Sequence, residues 1–543
     1  MMDYPLLLKS VLHRAITVFP EKEVVSRDYS GLFRYTYRDL SRRVGQLANV
    51  LEKLGVTPLD RVGSFAWNNH RHLELYFAVP MAHRTLHTVN IRLFREQLIY
   101  VINHAKDKVM FIDEDLLPVM EDIHQELKTV QHYVVMTDKE TLPDTSLPNV
   151  HSYEHLLAAE SAQYEFLEFD ENTPAIIGYT SATTGMPKGV VYSHRGLFLH
   201  CLTLSVGQVA ATEADVTMPI VPMFHVNAWG LPYAHTWVGA KQVYPGSRPS
   251  AKEFCELIDQ EQITFSAGVP TIWMAILNHA RVHPGQYRFD QVRYFLSGGA
   301  ALPVSLTKAY EKELGVRLYQ AYGQTETSPL TFLNEPKRAL LESLDEEGRF
   351  ALRGKTGLLV PGLEMRLIDE KGKEVVHDGQ HMGELLLRGP WIISEYYKDP
   401  EKSREAFLDG WFRTGDIATM DENGYLQIVD RTRDLIKSGG EWISSVDLEN
   451  AIMAHPGVAE AAVIAIASEK WQERPLAAVV LKPEARGSVQ KQDILNFLAN
   501  KVAKWWIPDD VVFIDEVPKT SVGKFSKKTL RERYEQGLLT PQE

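Results

Sequence analysis

A hydroxyl-rich stretch that follows the apolar run Ala175–Tyr179 is the segment best suited to hold phosphate groups. Its candidate ligands are Thr180, Ser181, Thr183, Thr184, Gly185 and Lys188. Hydroxyls, exposed backbone N–H groups and one ammonium together suit a polyphosphate. The spacing differs from the G-x-x-x-x-G-K-[ST] nucleotide loop, because Gly189 follows Lys188 where that loop has Ser or Thr. An ordinary surface turn, which favours the same residue types, is the alternative interpretation.

A second candidate site follows the apolar run Leu318–Ala321. The next five residues, 322–326, read YGQTE and present an aromatic ring, hydroxyls and a carboxylate at the end of a predicted strand. A hard cation such as Mg²⁺ would take an oxygen of Glu326 while it bridges phosphates. A solvent-exposed turn is the alternative here.

Two further stretches suggest walls of a binding site. Ser297–Ala300 contains a glycine pair after the predicted strand Arg293–Leu296, and such a pair lets a planar ligand approach the backbone, although many turns use glycine only for geometry. Pro219–Phe224 is predicted to be a buried strand. The aromatic and small residues of His225–Trp229 that follow it could line an apolar pocket.

Charged motifs are concentrated nearer the C-terminus. Trp411–Asp416 reads WFRTGD, and Asp430–Glu441 reads DRTRDLIKSGGE. The second motif is predicted to be an exposed connector at a domain boundary. Lys524 follows a glycine on a predicted loop before a basic helix, and a merely solvated lysine is the alternative interpretation.

The elements that must position these residues follow a recognisable order. Leu40, Val44, Leu47, Leu51 and Leu54 recur at helical spacing, and short apolar runs then alternate with amphipathic segments. This alternation predicts parallel sheets covered by helices. After about residue 354 short β segments suggest a smaller β unit, and a small α/β unit follows from about residue 435. Residues 138–164 are predicted to be a polar surface excursion.

Composition sets limits on the class of protein. A chain of 543 residues with 44% hydrophobic and 24% charged residues is expected to form two or more globular domains. The net charge of −13 opposes nucleic-acid binding by phosphate neutralisation. The two cysteines, Cys201 and Cys255, predict neither a disulfide framework nor a cysteine metal site. With no long apolar run and no signal-like segment, a cytoplasmic location is expected.

Taken together and in this order, the motifs resemble the adenylate-forming superfamily of acyl-CoA synthetases, luciferases and peptide-synthetase adenylation domains. The residues that carry the resemblance are Tyr179–Gly189, Tyr322–Glu326, Thr414–Asp416, Arg431–Gly440 and Lys524. The segments FHVNAW (224–229) and SGGEWI (438–443) are most similar to bacterial medium- and long-chain fatty acyl-CoA synthetases.

The resemblance implies an α/β fold in three parts. A large N-terminal domain of packed sheets, helices and a small β barrel would span residues 1–429 and bind ATP and the acyl group. A hinge linker would span residues 430–435. The C-terminal domain would swing about Arg433 in this linker, with Asp434 beside it. A small mobile C-terminal α/β domain, 436–543, would carry the catalytic lysine, Lys524.

The resemblance also implies the reaction. A fatty acid would attack the α-phosphorus of ATP to give acyl-AMP and pyrophosphate, and CoA would then displace AMP, with Mg²⁺ as the metal cofactor. The implied catalytic residues are Lys524, Glu326, Thr325 and Lys188, and the implied metal-binding residues are Thr180 and Glu326. The implied nucleotide- and acyl-binding residues are Thr180, Ser181, Ala182, Thr183, Thr184, Gly185, Lys188, Val226, Trp229, Gly299, Gln320, Ala321, Tyr322, Thr325, Asp416, Arg431, Arg433, Lys437 and Trp442.

Two departures from the family pattern bear on these expectations. Relatives commonly have glycine where this chain has Ala182, and an alanine at φ > 0 would be strained by about 1 kcal/mol or more. Many relatives carry aspartate where this chain has Arg433, so the details of the hinge stay open.

Several alternatives also stay open. The enzyme could activate an aryl or amino acid for a separate carrier protein, although amino-acid-activating relatives commonly have aspartate where His225 follows Phe224. A non-catalytic acyl or nucleotide binder is the alternative of another class. We expect small-molecule substrates and no nucleic acid, while acyl chain length, peripheral membrane contact and a homodimer are left undecided.

Overall fold

The computed structural model describes residues 1–180, 186–206, 209–439, 441–499, 501–519 and 525–539, with the side chain of Glu441 set aside. The elements of residues 1–193 are α1 (Lys9–Val18), β1 (Glu23–Asp28), β2 (Gly31–Thr36), α2 (Tyr37–Lys53), β3 (Arg61–Phe65), α3 (His70–Met81), β4 (Thr85–Thr88), α4 (Arg95–Ala105), β5 (Asp107–Asp113), α5 (Leu117–Ile123), β6 (His132–Met136), β7 (Val150–Ser152), α6 (Tyr153–Ala158), β8 (Pro174–Tyr179) and β9 (Gly189–Ser193).

The first large sheet is the predicted parallel sheet. It has seven strands in the order β7-β6-β5-β3-β4-β8-β9, and its strands are parallel except that β9 pairs antiparallel with β8. Thr36 caps the N-terminus of helix α2, because its side chain accepts a hydrogen bond from the backbone N–H of Asp39. The polar stretch 138–164, predicted to be a surface excursion, contributes edge strand β7 and helix α6, so that prediction was wrong in part.

The next elements build the second large sheet. They are α7 (His194–Ser205), β10 (Val216–Pro219), α8 (Leu231–Val238), β11 (Lys241–Tyr244), α9 (Ala251–Gln260), β12 (Phe265–Gly268), α10 (Pro270–Val282), β13 (Tyr294–Ser297), α11 (Val304–Ala309), β14 (Leu318–Gly323), β15 (Leu330–Leu333), α12 (Arg338–Ser343), α13 (Glu346–Arg353) and β16 (Leu358–Leu359). With β1 and β2 they form a nine-stranded sheet in the order β16-β15-β14-β13-β12-β10-β11-β1-β2.

The two large sheets share one apolar core. Helix α3 is buried along its whole length because it contacts β1 of one sheet and β3, β4 and β8 of the other. Neighbouring residues on one strand face opposite sides, so Ile176 packs into the shared core and Ile177 packs beneath α4 and α5. Helices α9, α10 and α11 cover the far side of the nine-stranded sheet. The result is a layered arrangement of helices, sheet, helices, sheet and helices.

The predicted strand Pro219–Phe224 does not form. Strand β10 ends at Pro219, and the following backbone keeps one bond to β12, from the N–H of Val221 to the carbonyl of Ala267 at 3.2 Å, while the side chain of Asn68 makes others. Its amide donates to the carbonyls of Pro219 and Val221, both at 2.8 Å, and its oxygen accepts from the N–H of Met223 at 2.7 Å. Proline at 222 supplies no N–H for a sheet ladder, which favours this arrangement.

The remaining elements form two smaller units. They are β17 (Glu364–Ile368), β18 (Gly383–Arg388), α14 (Pro400–Ala406), β19 (Phe407–Leu408), β20 (Trp411–Met420), β21 (Leu426–Arg431), β22 (Ile436–Ser438), β23 (Glu441–Ile443), α15 (Ser445–Met453), β24 (Val458–Ser468), β25 (Gln472–Leu481), α16 (Lys491–Leu498), β26 (Asp510–Phe513) and α17 (Lys527–Glu535).

Each smaller unit has its own sheet. Strands β17 to β21 form a five-stranded antiparallel sheet, the small β unit expected after residue 354. Strands β22 to β26 form a second five-stranded sheet, and separate apolar clusters within residues 436–539 pack against it.

Gly323 is a position where the fold leaves no room for a side chain. A Cβ there would lie 1.7 Å from the carbonyl oxygen of Pro329, because β14 turns back into β15 at this point. We expect Gly323→Ala to destabilise the protein by about 1–3 kcal/mol or more, the cost of an overpacked site. Differential scanning calorimetry should show the transition at lower temperature.

Gly178→Ala is the matched control for this substitution. Gly178 lies in β8, and its added Cβ would meet its nearest neighbour, the ring of Tyr192, at an ordinary 3.7 Å. Equal transition temperatures for the two variants would contradict the prediction.

Candidate active site

A cavity lies at the carboxyl ends of strands β10, β12, β13 and β14. Its volume is about 540 Å³. This edge is where parallel sheets generally bind ligands, because the loops after neighbouring strands meet there. The cavity brings together eleven of the residues predicted from the sequence. They are Thr180, Lys188, Val226, Trp229, Gly299, Ala321, Tyr322, Thr325, Glu326, Arg431 and Arg433.

One end of the cavity is charged and is built by the β8–β9 hairpin. The N–H of Thr180 donates to the carbonyl of Lys188 at 3.0 Å, and the N–H of Lys188 donates to the hydroxyl of Thr180 at 3.1 Å. These bonds fix the base of the hydroxyl-rich loop. The ammonium of Lys188 lies 4.0 Å from Oε1 of Glu326. Burial lowers the pKa of Lys188, and the Glu326 carboxylate opposes that shift.

Glu326 is held by its neighbours on both sides. It lies in a short 3₁₀ turn, Thr325–Thr327, directly after β14. The hydroxyl of Tyr192 donates to the carbonyl of Thr325 at 2.8 Å, which ties this turn to strand β9. The hydroxyl of Tyr396 donates to Oε1 of Glu326 at 2.7 Å, and the ring of Tyr396 lies 3.9 Å from the ammonium of Lys188.

A second polar group lies around Asp416 in strand β20. Its carboxylate accepts hydrogen bonds from the hydroxyl of Tyr322 and from the amide of Gln324, the latter at 2.7 Å. Arg431 lies opposite it on β21, with Nε 3.4 Å from the carboxylate, and Asp416 raises the pKa of this arginine. The network connects the end of β14 to the small antiparallel sheet.

Gln320 supports the wall of the cavity from behind. Its oxygen accepts from the N–H of Leu302 at 2.8 Å, and its amide donates to the carbonyl of Ala300 at 3.3 Å. These bonds hold the turn that contains Gly299, whose φ of +81° suits glycine. Gln320 therefore shapes the backbone that a planar group would contact.

The other end of the cavity is apolar and contains a left-handed turn. The φ angles of Val226, Asn227, Ala228 and Trp229 are +47°, +53°, +46° and +59°. For non-glycine residues this conformation costs about 1–2 kcal/mol per residue. The turn sets the Trp229 ring against Gly298, where an added Cβ would lie 2.7 Å from the ring. The apolar lining also includes Leu204, Val221, Leu231, Val269, Leu296 and Leu330.

Some predicted residues do not reach the cavity. Lys437 in β22 pairs with Glu370 at 3.4 Å, and its ammonium lies 4.2 Å from the ring centre of Trp442. Neither residue is among those that line the cavity. The predicted residues Ser181, Ala182, Thr183, Thr184, Gly185 and Lys524 lie outside the described residues.

Comparison with known proteins identifies the family. The family described as AMP-binding enzyme matches residues 12–397, and the C-terminal domain of AMP-binding enzymes matches residues 447–524. The chain belongs to the AMP-binding enzyme family. The first match begins within α1 and ends at Tyr397, so it spans both large sheets.

Curated relatives of this AMP-binding enzyme match along nearly their whole length. A long-chain-fatty-acid–CoA ligase of Thermus thermophilus is 49% identical, with 98% of this chain and 96% of the relative covered. A 3-methylmercaptopropionyl-CoA ligase of Ruegeria lacuscaerulensis is 41% identical, with 99% of each covered. A medium-chain-fatty-acid–CoA ligase of Ectopseudomonas oleovorans is 40% identical, with 99% and 98% covered.

A solved structure agrees with the fold of this AMP-binding enzyme. The anthranilate CoA ligase AuaEII in complex with anthranoyl-AMP superposes with a TM-score of 0.87 at 26% identity, covering 98% of this chain and 99% of that one. No helix in the described part of the chain is long and apolar enough to cross a membrane.

The residues of this cavity suit a Mg²⁺ ion that is shared with substrate phosphates better than a metal ion that is bound by side chains alone. Within the described ranges no group of three or more His, Cys, Asp or Glu side chains could hold a metal. Mg²⁺ usually binds through one or two carboxylates together with substrate phosphates. One carboxylate, Glu326, and the nearby hydroxyls of Thr180 and Thr325 fit that pattern.

The structure adds two polar residues of this cavity that sequence reasoning missed. Gln324 lies inside the YGQTE motif, and its amide reaches Asp416, 92 positions along the chain. Tyr396 lies 70 positions from Glu326, and no spacing in the sequence marks it. In the sequence it lies between Gly389–Pro390 and the charged helix α14.

Gln324 should matter for nucleotide binding because it helps to position Asp416. Gln324→Ala removes a charge-assisted hydrogen bond, and we expect the Kd for ATP to rise about 10-fold. Isothermal titration calorimetry measures this directly. Gln427→Ala is the control, since Gln427 donates only to the carbonyl of Ile428 on β21 at 3.1 Å and does not line the cavity. Equal ATP affinity in both variants would contradict the assignment.

Proposed function

We propose that this protein is an AMP-forming fatty acyl-CoA ligase. In the first half-reaction a fatty acid carboxylate attacks the α-phosphorus of ATP and pyrophosphate leaves. In the second half-reaction the CoA thiol attacks the acyl carbon and AMP leaves. The observation that carries this proposal is a single cavity whose charged end holds Lys188 and Glu326 and whose other end is lined by apolar side chains.

The first half-reaction must bring two anions together. A carboxylate approaches a nucleotide that carries about four negative charges, so cations and hydrogen-bond donors must converge on the phosphates. We assign the β- and γ-phosphates to Lys188 and to the hydroxyl-rich loop 180–185. The fixed base of this loop and the partly buried ammonium of Lys188 support the assignment.

We assign Mg²⁺ to Glu326 and Thr180, with Thr325 beside the α-phosphate. When bound, this ion neutralises phosphate charge and favours departure of pyrophosphate. The protein's own contribution is to orient the Glu326 carboxylate, which accepts a hydrogen bond from Tyr396 and lies in a turn bonded to Tyr192.

The nucleoside would occupy the region around Asp416. We assign the ribose hydroxyls to Asp416, with Arg431 assisting, and the adenine to the wall formed by Gly299, Ala321 and Tyr322, which Gln320 supports from behind. The hydrogen bonds from Tyr322 and Gln324 orient the Asp416 carboxylate before any ligand arrives, which reduces the ordering cost of binding.

The acyl chain would enter the apolar end beside Val226 and Trp229. Each buried CH₂ group contributes about 0.8 kcal/mol, so an apolar cavity favours longer acids over acetate. Medium- and long-chain fatty acids fit this end and agree with the named substrates of two relatives. Selection between neighbouring chain lengths rests on about 1–3 kcal/mol per methylene.

The second half-reaction would require the C-terminal unit to move. We propose that residues 1–429 and 436–543 are separate domains joined by a hinge, 430–435, and that the second domain swings about Arg433. Contacts between these two domains would have to break, among them the Lys437–Glu370 pair and the hydrogen bond from the Ser444 hydroxyl to the carbonyl of Val429. The swing would withdraw Lys524 and bring Lys437 and Trp442 towards the nucleotide.

The substrates ATP and CoA make the cytoplasm the natural location for this reaction, and we include it in the proposal. A homodimer and peripheral membrane contact are separate questions, which light scattering and vesicle sedimentation would decide.

An acid series tests the proposed function. We expect ATP–pyrophosphate exchange and CoA thioester formation to be fastest with medium- or long-chain fatty acids, and at least about 10-fold slower with acetate, aryl acids and amino acids. Fastest turnover with an amino or aryl acid would favour the alternative substrate class. ATP binding without pyrophosphate release would favour the non-catalytic alternative.

Lys524→Ala tests the catalytic lysine within the same assay. We assign the Lys524 ammonium to the carboxylate and α-phosphate oxygens, so its loss should slow adenylation about 100-fold or more. Lys519→Ala, in the same segment, is the control because Lys519 pairs with Glu460 on the surface at 2.7 Å. Normal exchange in Lys524→Ala would refute the assignment.

Stiffening the connector tests the proposed hinge. Proline fixes φ at about −65°, so Arg433→Pro should restrict the swing and slow thioester formation at least about 10-fold more than adenylation. Single-turnover measurements of the two half-reactions give the comparison. Arg433→Ala removes the same charge without stiffening the backbone. Equal slowing of both half-reactions by proline, or the same selective slowing by alanine, would contradict the hinge.

A further inference from the structure

Tyr396 contacts both charged residues at the phosphate end of the cavity. Its side chain is 3% exposed. The hydroxyl donates to Oε1 of Glu326 at 2.7 Å, and the ring face lies 3.9 Å from the ammonium of Lys188. One side chain therefore offers a hydrogen bond to the carboxylate and a cation–π contact to the ammonium.

The segment that carries Tyr396, residues 391–397, is bonded to both loops that it serves. The N–H of Ile393 donates to the backbone carbonyl of Glu326 at 3.0 Å, and the N–H of Tyr397 donates to the carbonyl of Gly189 at 2.9 Å. The N–H of Tyr396 itself donates to the hydroxyl of Ser403 at 2.9 Å. Tyr396 is thus held at a fixed position relative to Lys188 and Glu326.

The two charged groups would otherwise be expected to bind each other. The ammonium of Lys188 and Oε1 of Glu326 are 4.0 Å apart, the outer limit of an ion pair. Oε1 is also the oxygen that accepts the hydrogen bond from Tyr396. A direct ion pair would engage the ammonium and the carboxylate with each other instead of with a nucleotide and its metal. Tyr396 gives each group a neutral partner, so that both keep their charge available in the cavity.

We propose that Tyr396 is a positioning residue for ATP binding, which holds Glu326 with its hydroxyl and Lys188 with its ring and so prevents the two from closing into a direct ion pair. The inference rests on the proposed function, because it assigns the phosphates to Lys188 and the metal to Glu326. It concerns how the site is prepared for ATP, and it gives no bond-forming step to Tyr396.

Two substitutions separate the hydroxyl from the ring. Tyr396→Phe keeps the ring beneath Lys188 and frees Glu326, whereas Tyr396→Leu removes both contacts. We expect the Kd for ATP with Mg²⁺ to rise about 10-fold in the Phe variant, as for loss of a hydrogen bond to a charged group, and further in the Leu variant. Isothermal titration calorimetry without acyl substrate reads this binding independently of turnover.

Tyr397→Phe is the matched control. Tyr397 is the neighbouring tyrosine, its backbone contact to Gly189 survives the substitution, and its side chain does not line the cavity. We expect its ATP affinity to stay within about twofold of wild type, as for a substitution away from the ligand. Circular dichroism and calorimetric unfolding of each variant show whether a loss of affinity accompanies a loss of folding.

A double-mutant cycle with Glu326→Gln decides whether Tyr396 acts through Glu326. With glutamine at 326 no carboxylate competes for Lys188, so adding Tyr396→Phe should change ATP affinity by less than about twofold. An undiminished 10-fold loss in that background would indicate a general structural role and overturn the proposal. Wild-type affinity in Tyr396→Phe itself would also overturn it.

The same measurements distinguish failure of this inference from failure of the proposed function. If wild-type protein binds ATP and forms acyl-AMP while Tyr396→Phe is unchanged, the positioning role alone is wrong. If wild-type protein forms no acyl-AMP with any acid of the series, the proposed function is wrong, and the positioning role falls with it.

Discussion

The shared apolar core between the seven-stranded and nine-stranded sheets is the constraint on which the site depends. Helix α3 fills the space between the sheets and is buried along its whole length. Because both sheets pack against the same helices, the β8–β9 hairpin of one sheet lies beside the loop after β14 of the other. The hydrogen bond from Tyr192 to the carbonyl of Thr325 crosses directly between these two elements. The charged end of the cavity therefore rests on the packing of both sheets against α3, which also buries the ion-paired side chains of Arg71 and Glu74.

The cavity joins two environments with opposite requirements. Its charged end keeps the ammonium of Lys188 and the carboxylate of Glu326 4.0 Å apart, with the Tyr396 side chain in contact with both. Its apolar end depends on a left-handed turn of four non-glycine residues, 226–229, whose conformational cost must be offset by the packing around it. The charged end suits the phosphates of a nucleotide and the apolar end suits an aliphatic chain. Both substrates could therefore bind in one cavity with their reacting groups close together.

The C-terminal unit has its own apolar clusters and meets the rest of the molecule through polar contacts. Asp430 accepts hydrogen bonds from the N–H and hydroxyl of Ser445, and Asp434 accepts one from Arg531 at 2.9 Å. The connector was predicted to be exposed, and residues 431–433 are exposed, whereas Asp430 is 2% exposed because Ser445 of the C-terminal unit bonds to it. Polar contacts of this kind can be exchanged for others at small net cost, whereas a shared apolar core could not.

The sequence by itself determined the identity of the chemistry. The hydroxyl-rich loop with Lys188, the carboxylates Glu326 and Asp416, and their order along the chain were sufficient to predict the family and the α/β class, and eleven of the residues predicted for the site line the cavity. The runs Ala175–Tyr179, Arg293–Leu296 and Leu318–Ala321 each lie within two residues of a strand at both ends, since strand periodicity is a local property.

Only the tertiary structure decided which side chains hold these groups in place. Tyr396 meets Glu326 across 70 positions, and the side chain of Asn68 bonds to the backbone of Val221 and Met223 across more than 150 positions. Such pairings leave no periodic signal in the sequence, because they follow from how two sheets and a helix layer pack together. The left-handed turn at 226–229 could not be predicted from the sequence for the same reason. The backbone preferences of these residues oppose this conformation, and burial against the surrounding core maintains it.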